Sequence, residues 1–140
     1  MDSTSVNIQV PTDLVKLTVK ALKQFGHSPI FELSTGLMKP PVTNILLESV
    51  PRGDVSDELN FLEKYSIPYS CDVEGDVNIP EAHYHLRFAD DGSPIIKVYN
   101  GSINHLEICE IEKILEESEN EDEIRSKLSS LIELTVKPDW

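Results

Sequence analysis

The feature that most restricts the fold is an alternating segment at residues 83–99, HYHLRFADDGSPIIKVY, with turn-forming residues at its centre. A three-residue loop, Asp90-Asp91-Gly92, with Gly92 in the left-handed bulge position, pairs Leu86 with Ile96. A two-residue loop would set Leu86 against Lys97, and a one-residue slip moves every side chain to the other face. The segment therefore predicts an antiparallel hairpin with the longer loop.

This register assigns the hairpin residues to two faces, because side chains alternate along a strand. The expected core face carries Tyr84, Leu86, Phe88, Ile96 and Val98, and the opposite face carries His83, His85, Arg87 and Lys97.

Apolar spacing elsewhere predicts strands and helices around this hairpin. Alternating or continuous apolar runs predict strands at residues 6–10, 42–50 and 67–73, the second buried on both faces, and a short strand at residues 30–33. Helical spacing predicts one helix from Thr12 and another from Ser56, with inward residues Leu14, Leu17, Ala21, Leu22, Phe25, Leu59, Leu62 and Tyr65.

Two further helices are predicted at the carboxyl end. Asn104 with Glu107 and Asn120 with Glu123 have the spacing of an N-terminal cap and its third helical residue. The inward residues expected are Ile108, Ile111, Ile114 and Leu115 in the first helix, and Ile124, Leu128 and Leu131 in the second. Together these patterns predict one α+β domain over residues 1–140, with a mainly antiparallel sheet, a central hairpin and helices on one face.

Composition favours a cytoplasmic protein. The chain has 140 residues, of which 39% are hydrophobic, and none of its apolar runs approaches the roughly 18 residues of a membrane helix. The first ten residues have no basic or apolar segment typical of a signal peptide. The two cysteines indicate reduced thiols.

The charge distribution gives the main functional signal. Residues 1–50 hold four acids and four bases, so the net charge of −13 comes entirely from the remaining chain. Such an excess argues against direct binding to nucleic acid or anionic membrane, which needs local positive charge. Nine of the acids lie between residues 107 and 123, where Lys113 is the only base: Glu107, Glu110, Glu112, Glu116, Glu117, Glu119, Glu121, Asp122 and Glu123.

Two interpretations of this acidic stretch stay open. Acids after Asn120 favour the helix dipole and others fall on a polar helix face, so a solvated surface explains part of it. The remaining repulsion among these acidic side chains would be offset by binding to a cationic partner. These nine acids are therefore the predicted partner-binding residues.

Residues that could support catalysis or metal binding give weaker signals. His83 and His85 share a strand face, but His85 would lie opposite Lys97 and beside Arg87, which repel a metal cation. We therefore expect a solvated outer sheet face, with no metal, no cofactor and no catalytic residue. Cys71 and Cys109 each lie beside apolar positions, and we expect both to be reduced and slow to react. Nucleophile-elbow, Walker-type and dinucleotide-binding motifs are absent from the sequence.

Three functional hypotheses follow. The first is a non-enzymatic interaction protein that binds and inhibits a basic protein, such as a toxin, a nuclease or a nucleic-acid-binding protein. Immunity proteins and nucleic-acid mimics have a similar size and charge. The second is a cytosolic chaperone or adaptor for a secreted protein, which would expose a contiguous apolar patch. The third is a small enzyme or metal-binding protein that uses the face of His83 and His85.

Overall fold

The computed structural model describes residues 2–33, 41–101 and 108–140. Their elements are, in chain order, β1 (Ser3–Pro11), α1 (Val15–Gln24), β2 (Ile30–Phe31), β3 (Val42–Pro51), α2 (Ser56–Lys64), β4 (Tyr69–Val73), β5 (Ala82–Phe88), β6 (Pro94–Asn100), α3 (Ile108–Glu117) and α4 (Glu121–Thr135). The six strands form one antiparallel sheet in the order β2-β3-β1-β4-β5-β6. The predicted α+β class, with one mainly antiparallel sheet and two C-terminal helices, is confirmed.

The core lies on the face of the sheet that α1 and α2 cover. Alternate residues of β1, namely Val6, Ile8 and Val10, are fully buried there. The helices contribute the inward stripe of their amphipathic pattern, including Leu22 and Leu62, to the same cluster. Each such large side chain stabilises the fold by roughly 1.5–3 kcal/mol. The hydrophobic core is therefore built around β1 and its neighbouring strands.

The register predicted for the central hairpin is confirmed. Leu86 pairs with Ile96, Tyr84 with Val98 and His85 with Lys97. The backbone N–H of Gly92 donates to the carbonyl of Ala89 at 2.9 Å, and that of Ala89 donates to the carbonyl of Ser93 at 2.9 Å. Gly92 has a φ of +84°, as the bulge position of a three-residue loop requires.

The expected burial of the β6 side of the hairpin is wrong. Ile96 is 53% exposed and Val98 45% exposed, although both lie on the core face. β6 is the last strand of the sheet, and the core cluster built by α1 and α2 reaches no farther than β5. A side chain on the core face of the sheet is thus buried only where other elements cover that part of the face.

Three helix residues predicted to point inward, Leu17, Phe25 and Tyr65, are also exposed. Phe25 and Tyr65 instead pack around Phe61, with ring centroids 6.0 Å and 4.5 Å from it, at the rim of the two helices. The expected burial of both faces of β3 is wrong as well, because Asn44 and Glu48 are exposed.

Candidate functional site

The predicted acidic segment forms a pair of helices, α3 and α4, joined by residues 118–120. Asn120 caps α4, since its Oδ1 accepts a hydrogen bond from the backbone N–H of Glu123 at 2.9 Å. The carboxylate of Glu123 accepts in turn from the backbone N–H of Glu119 at 2.8 Å, which lowers the pKa of Glu123. The second predicted cap pair, Asn104 and Glu107, lies outside the described residues.

Eight of the nine predicted binding acids lie in the described part of this helix pair, and Glu107 does not. Glu121 forms an ion pair with Arg125 at 2.8 Å, and Glu123 forms one with Lys127 at 3.4 Å. The other six have no ion pair within the described residues and are exposed: Glu110, Glu112, Glu116, Glu117, Glu119 and Asp122. Most of the negative charge here therefore faces solvent without a compensating cation.

The apolar stripe of the same helices is not buried as predicted. In α3, Ile108 is 73% exposed and Leu115 is 53% exposed. The remaining predicted inward residues are only half-buried: Ile111, Ile114, Ile124, Leu128 and Leu131. The core cluster consists of described residues of α1, α2, the sheet and the adjoining loops, and it includes no described residue of α3 or α4. The helix pair thus presents acids beside partly uncovered apolar side chains.

The connection between α4 and the sheet runs through the last helical turn. Lys97 of β6 donates hydrogen bonds from Nζ to the carbonyl of Glu133 and, at 2.6 Å, to that of Val136. A cation at this position is favourable because the C-terminal end of a helix carries partial negative charge. Thr135, at the same end, is buried.

The outer face of the sheet differs from the expected solvated surface. His83 and His85 are only 4% and 5% exposed. Nδ1 of His83 lies 2.6 Å from Oδ1 of Asp72, and Nε2 lies 3.1 Å from Oε1 of Glu81. This face is therefore a packed layer of polar side chains.

His85 has a separate partner, because its Nδ1 lies 2.8 Å from Oγ of Ser70. Burial, with a smaller effect from the nearby Arg87, lowers the pKa of His85 to about 4, so the ring is neutral at pH 7. Within the described residues, no group of three His, Cys, Asp or Glu side chains is arranged to hold a metal ion.

The cover of this polar layer comes from residues 136–140, which we call the C-terminal strap. Arg87, 9% exposed, donates hydrogen bonds to the carbonyls of Pro138 and Asp139 at 3.1 Å and 2.9 Å. The ring of Trp140 stacks on the guanidinium, with Cζ 3.7 Å from the ring centroid. The alternation of side chains predicted the correct sheet face for Arg87. Its contacts with the strap join residues some 50 positions apart, and no local sequence pattern indicates such contacts.

The two cysteines differ in exposure. Cys71 is buried in the core, and burial raises the pKa of its thiol, so the predicted low reactivity has a structural basis there. Cys109 is exposed on α3, so burial gives no basis for the slow reaction expected of this thiol. Neither is disulfide-bonded.

A contact between His27, which follows α1, and the buried Glu58 of α2 has no counterpart in the sequence-based predictions. Nε2 of His27 lies 3.5 Å from Oε2 of Glu58, a residue that is 8% exposed. That oxygen has no hydrogen-bond partner within the described residues, and burial raises the pKa of Glu58. The pair links the C-terminal end of α1 to the first turn of α2.

Comparison of the chain with known protein families, with curated protein sequences and with solved structures finds no match. Among the helices of the described residues, none combines the length and apolar character needed to cross a membrane. The functional argument therefore rests on the chemistry of these surfaces.

Proposed function

We propose that the protein is a non-enzymatic interaction protein that binds a basic protein through the acidic surface of α3 and α4. The observation that carries the proposal is the combination of unpaired carboxylates and partly uncovered apolar side chains on one pair of helices. Nine acids and three bases lie between residues 108 and 135. A toxin, a nuclease or a nucleic-acid-binding protein would present the matching cationic site, and blocking it would make this chain an inhibitor or immunity protein.

The charges and the apolar side chains have separate roles in this proposal. Exposed carboxylates steer a cationic partner during diffusion, and their effect weakens when salt shortens the Debye length to roughly 8 Å. Desolvation of apolar side chains at the centre of an interface supplies most of the binding energy. Ile108 and Leu115 are the most exposed apolar residues of α3 and are the expected anchors.

We also propose that the protein acts in the cytoplasm. Support comes from its two unpaired cysteines, one of which is exposed. Exposed free thiols are typical of reducing compartments, because oxidising compartments convert them to disulfides.

The test begins with capture of a partner from the source cell at low salt, followed by titration of the purified pair. The binding variant changes Glu110, Glu112, Glu116 and Glu117 together to Gln. These four acids have no ion pair in the described structure, so their loss removes charge without breaking a contact. At roughly 0.2–1 kcal/mol for each exposed charge pair, Kd should rise about tenfold at low salt. The salt dependence of Kd should also become weaker.

A matched control removes the same number of charges outside the helix pair, by changing Glu32, Glu48, Glu63 and Glu74 to Gln. The control should change Kd by less than about threefold, since steering falls off beyond a Debye length. If both variants weaken binding equally, only net charge matters. If the binding variant folds and keeps its affinity, the acidic stretch is a solvated surface and the proposal fails.

A second candidate function, a chaperone or adaptor for a secreted protein, has support from the exposed apolar residues. Ile96 and Val98 lie side by side on one face of β6, in addition to those on α3. An adaptor of this kind would suppress aggregation of an unfolded client with little dependence on salt. Changing Ile96 and Val98 together to Thr should remove that suppression, whereas the four-Gln binding variant should retain it.

A further inference from the structure

Arg87 is a buried cation whose hydrogen bonds all go to neutral acceptors. Within the described residues its acceptors are the carbonyls of Tyr69, Leu86, Pro138 and Asp139 and the hydroxyl of Ser70. Buried arginines are usually paired with a carboxylate, because burial of an uncompensated charge is costly. Consistent with that cost, burial lowers the pKa of Arg87 to about 10, and the charge of Asp139 offsets this only in part.

The donors of Arg87 divide into two sets. Nη1 and one hydrogen of Nη2 face the sheet, where oxygen atoms of β4 and β5 accept their hydrogen bonds. Nε and the other hydrogen of Nη2 face the C-terminal strap and reach the carbonyls of Asp139 and Pro138. This second pair of N–H groups lies side by side, which is the edge through which a guanidinium binds two oxygens of one carboxylate.

We propose that this edge of Arg87 is a binding site for a two-oxygen anion, and that the C-terminal strap is its displaceable cover. In the structure the two strap carbonyls occupy the positions that the two oxygens of the anion would take. The anion would replace two bonds to neutral carbonyl oxygens by two bonds to negatively charged oxygens, in the bidentate geometry that a guanidinium forms with a carboxylate.

The surroundings of this edge favour negative charge. Nζ of Lys137 donates to Oε1 of Gln9, and Nζ of Lys97 lies at the end of α4 beside the start of the strap. Three cations, namely Arg87, Lys97 and Lys137, therefore lie on or beside the C-terminal strap. The acids that face them are Asp139, on the strap itself, and Asp72, whose charge acts on Lys137.

The strap is held mainly by contacts that solvent or a ligand can replace. Val136, Lys137 and Asp139 are exposed. Apart from the Arg87 bonds, Trp140 provides the ring stacked on the guanidinium and an indole N–H that donates to Oε1 of Gln9 at 3.3 Å. Trp140 is therefore the residue whose removal should uncover the site.

The experiment follows the side-chain Nε–H signal of Arg87 by NMR in the full-length protein, at constant ionic strength. Sodium acetate and inorganic phosphate are titrated separately, so that the two arms distinguish a carboxylate site from a phosphate site. Trp140→Ala should bind at least one of these anions five- to tenfold more tightly than the unmodified protein. Gln9→Ala, which loosens the strap but keeps the ring, should shift affinity in the same direction and replaces Trp140→Ala if that variant does not fold.

The matched control is Arg87→Lys, which keeps the positive charge and removes the side-by-side donors. Backbone amide shifts of residues 69 and 70 report binding in this variant, and neither anion should move them. The proposal is overturned if the strap variants bind no more tightly than the unmodified protein. It is also overturned if Arg87→Lys binds as well as they do, because the anion then lies elsewhere.

Discussion

Gly53, which follows β3, occupies a position where a single methyl group has a calculable effect. The residue is buried, and its backbone N–H donates to the carbonyl of Val50 at 3.0 Å with a φ of +64°. A Cβ built there would lie 2.7 Å from Cγ1 of Val73 and 3.1 Å from Cγ2 of Thr4. Both neighbours belong to strands of the sheet, so they have little freedom to move away. Gly53→Ala should therefore combine backbone strain with overpacking.

The two contributions can be separated by comparison with Gly92→Ala. Gly92 has a φ of +84°, but no atom would lie within 4 Å of its Cβ. Left-handed backbone costs a non-glycine residue roughly 1–2 kcal/mol, and overpacking costs roughly 1–3 kcal/mol more. We expect Gly92→Ala to lose about 1–2 kcal/mol of unfolding free energy and Gly53→Ala about 2–5 kcal/mol. The difference measures the contacts with Val73 and Thr4.

Urea unfolding followed by far-UV circular dichroism measures both values. The midpoint should shift while the slope m stays unchanged, because the surface exposed on unfolding is the same. Equal losses for the two variants would refute the reasoning, since backbone strain alone would then account for both.

Three further predictions concern reactivity, pH and packing. Cys109 should react with a thiol reagent in the native protein, whereas Cys71 should react only after unfolding; similar native rates would contradict their difference in exposure. The pKa of His85 is about 4 in the fold and near 6.5 in the unfolded chain, so the unfolded chain binds more protons between these values. The unfolding free energy should therefore decrease by on the order of 3 kcal/mol as pH falls from about 6.5 to about 4. His85→Gln should make that decrease smaller. If the variant has the same pH profile as the unmodified protein, the decrease does not come from His85. Leu86→Ala should lower the unfolding free energy by roughly 2–5 kcal/mol, because Leu86 is fully buried, and Ile96→Thr should lower it by less than about 1 kcal/mol. Chemical denaturation measures both values, and equal losses would show that Ile96 is covered.

Strand pairing around the turn was predictable because its signals are local. The alternation from Tyr84 to Val98 and a glycine at the bulge position determine which residues face each other, whatever surrounds them. The capping of α4 by Asn120 was predictable for the same reason, since the interaction spans three residues.

Burial was less predictable, because it depends on what covers each face. The apolar residues of α3 have the spacing of a buried stripe, yet Ile108 and Leu115 remain exposed. His85 and Arg87, expected to be solvated, are buried, and Trp140 of the strap stacks on Arg87. Contacts between residues so far apart in sequence leave no periodic signal in either segment.

The central place of β1 in the sheet has a consequence for biosynthesis. Ile8 pairs with Ile45 on one side and with Cys71 on the other, so β1 gains its second neighbouring strand only after β4 has been synthesised. At roughly 5–20 residues per second, several seconds pass between the synthesis of β1 and that of β4. Both edges of this apolar strand lack a partner until β3 is synthesised, and one edge lacks a partner until β4 is synthesised. Folding is then limited by long-range pairing, and nascent-chain crowding at high expression should favour aggregation over the native sheet.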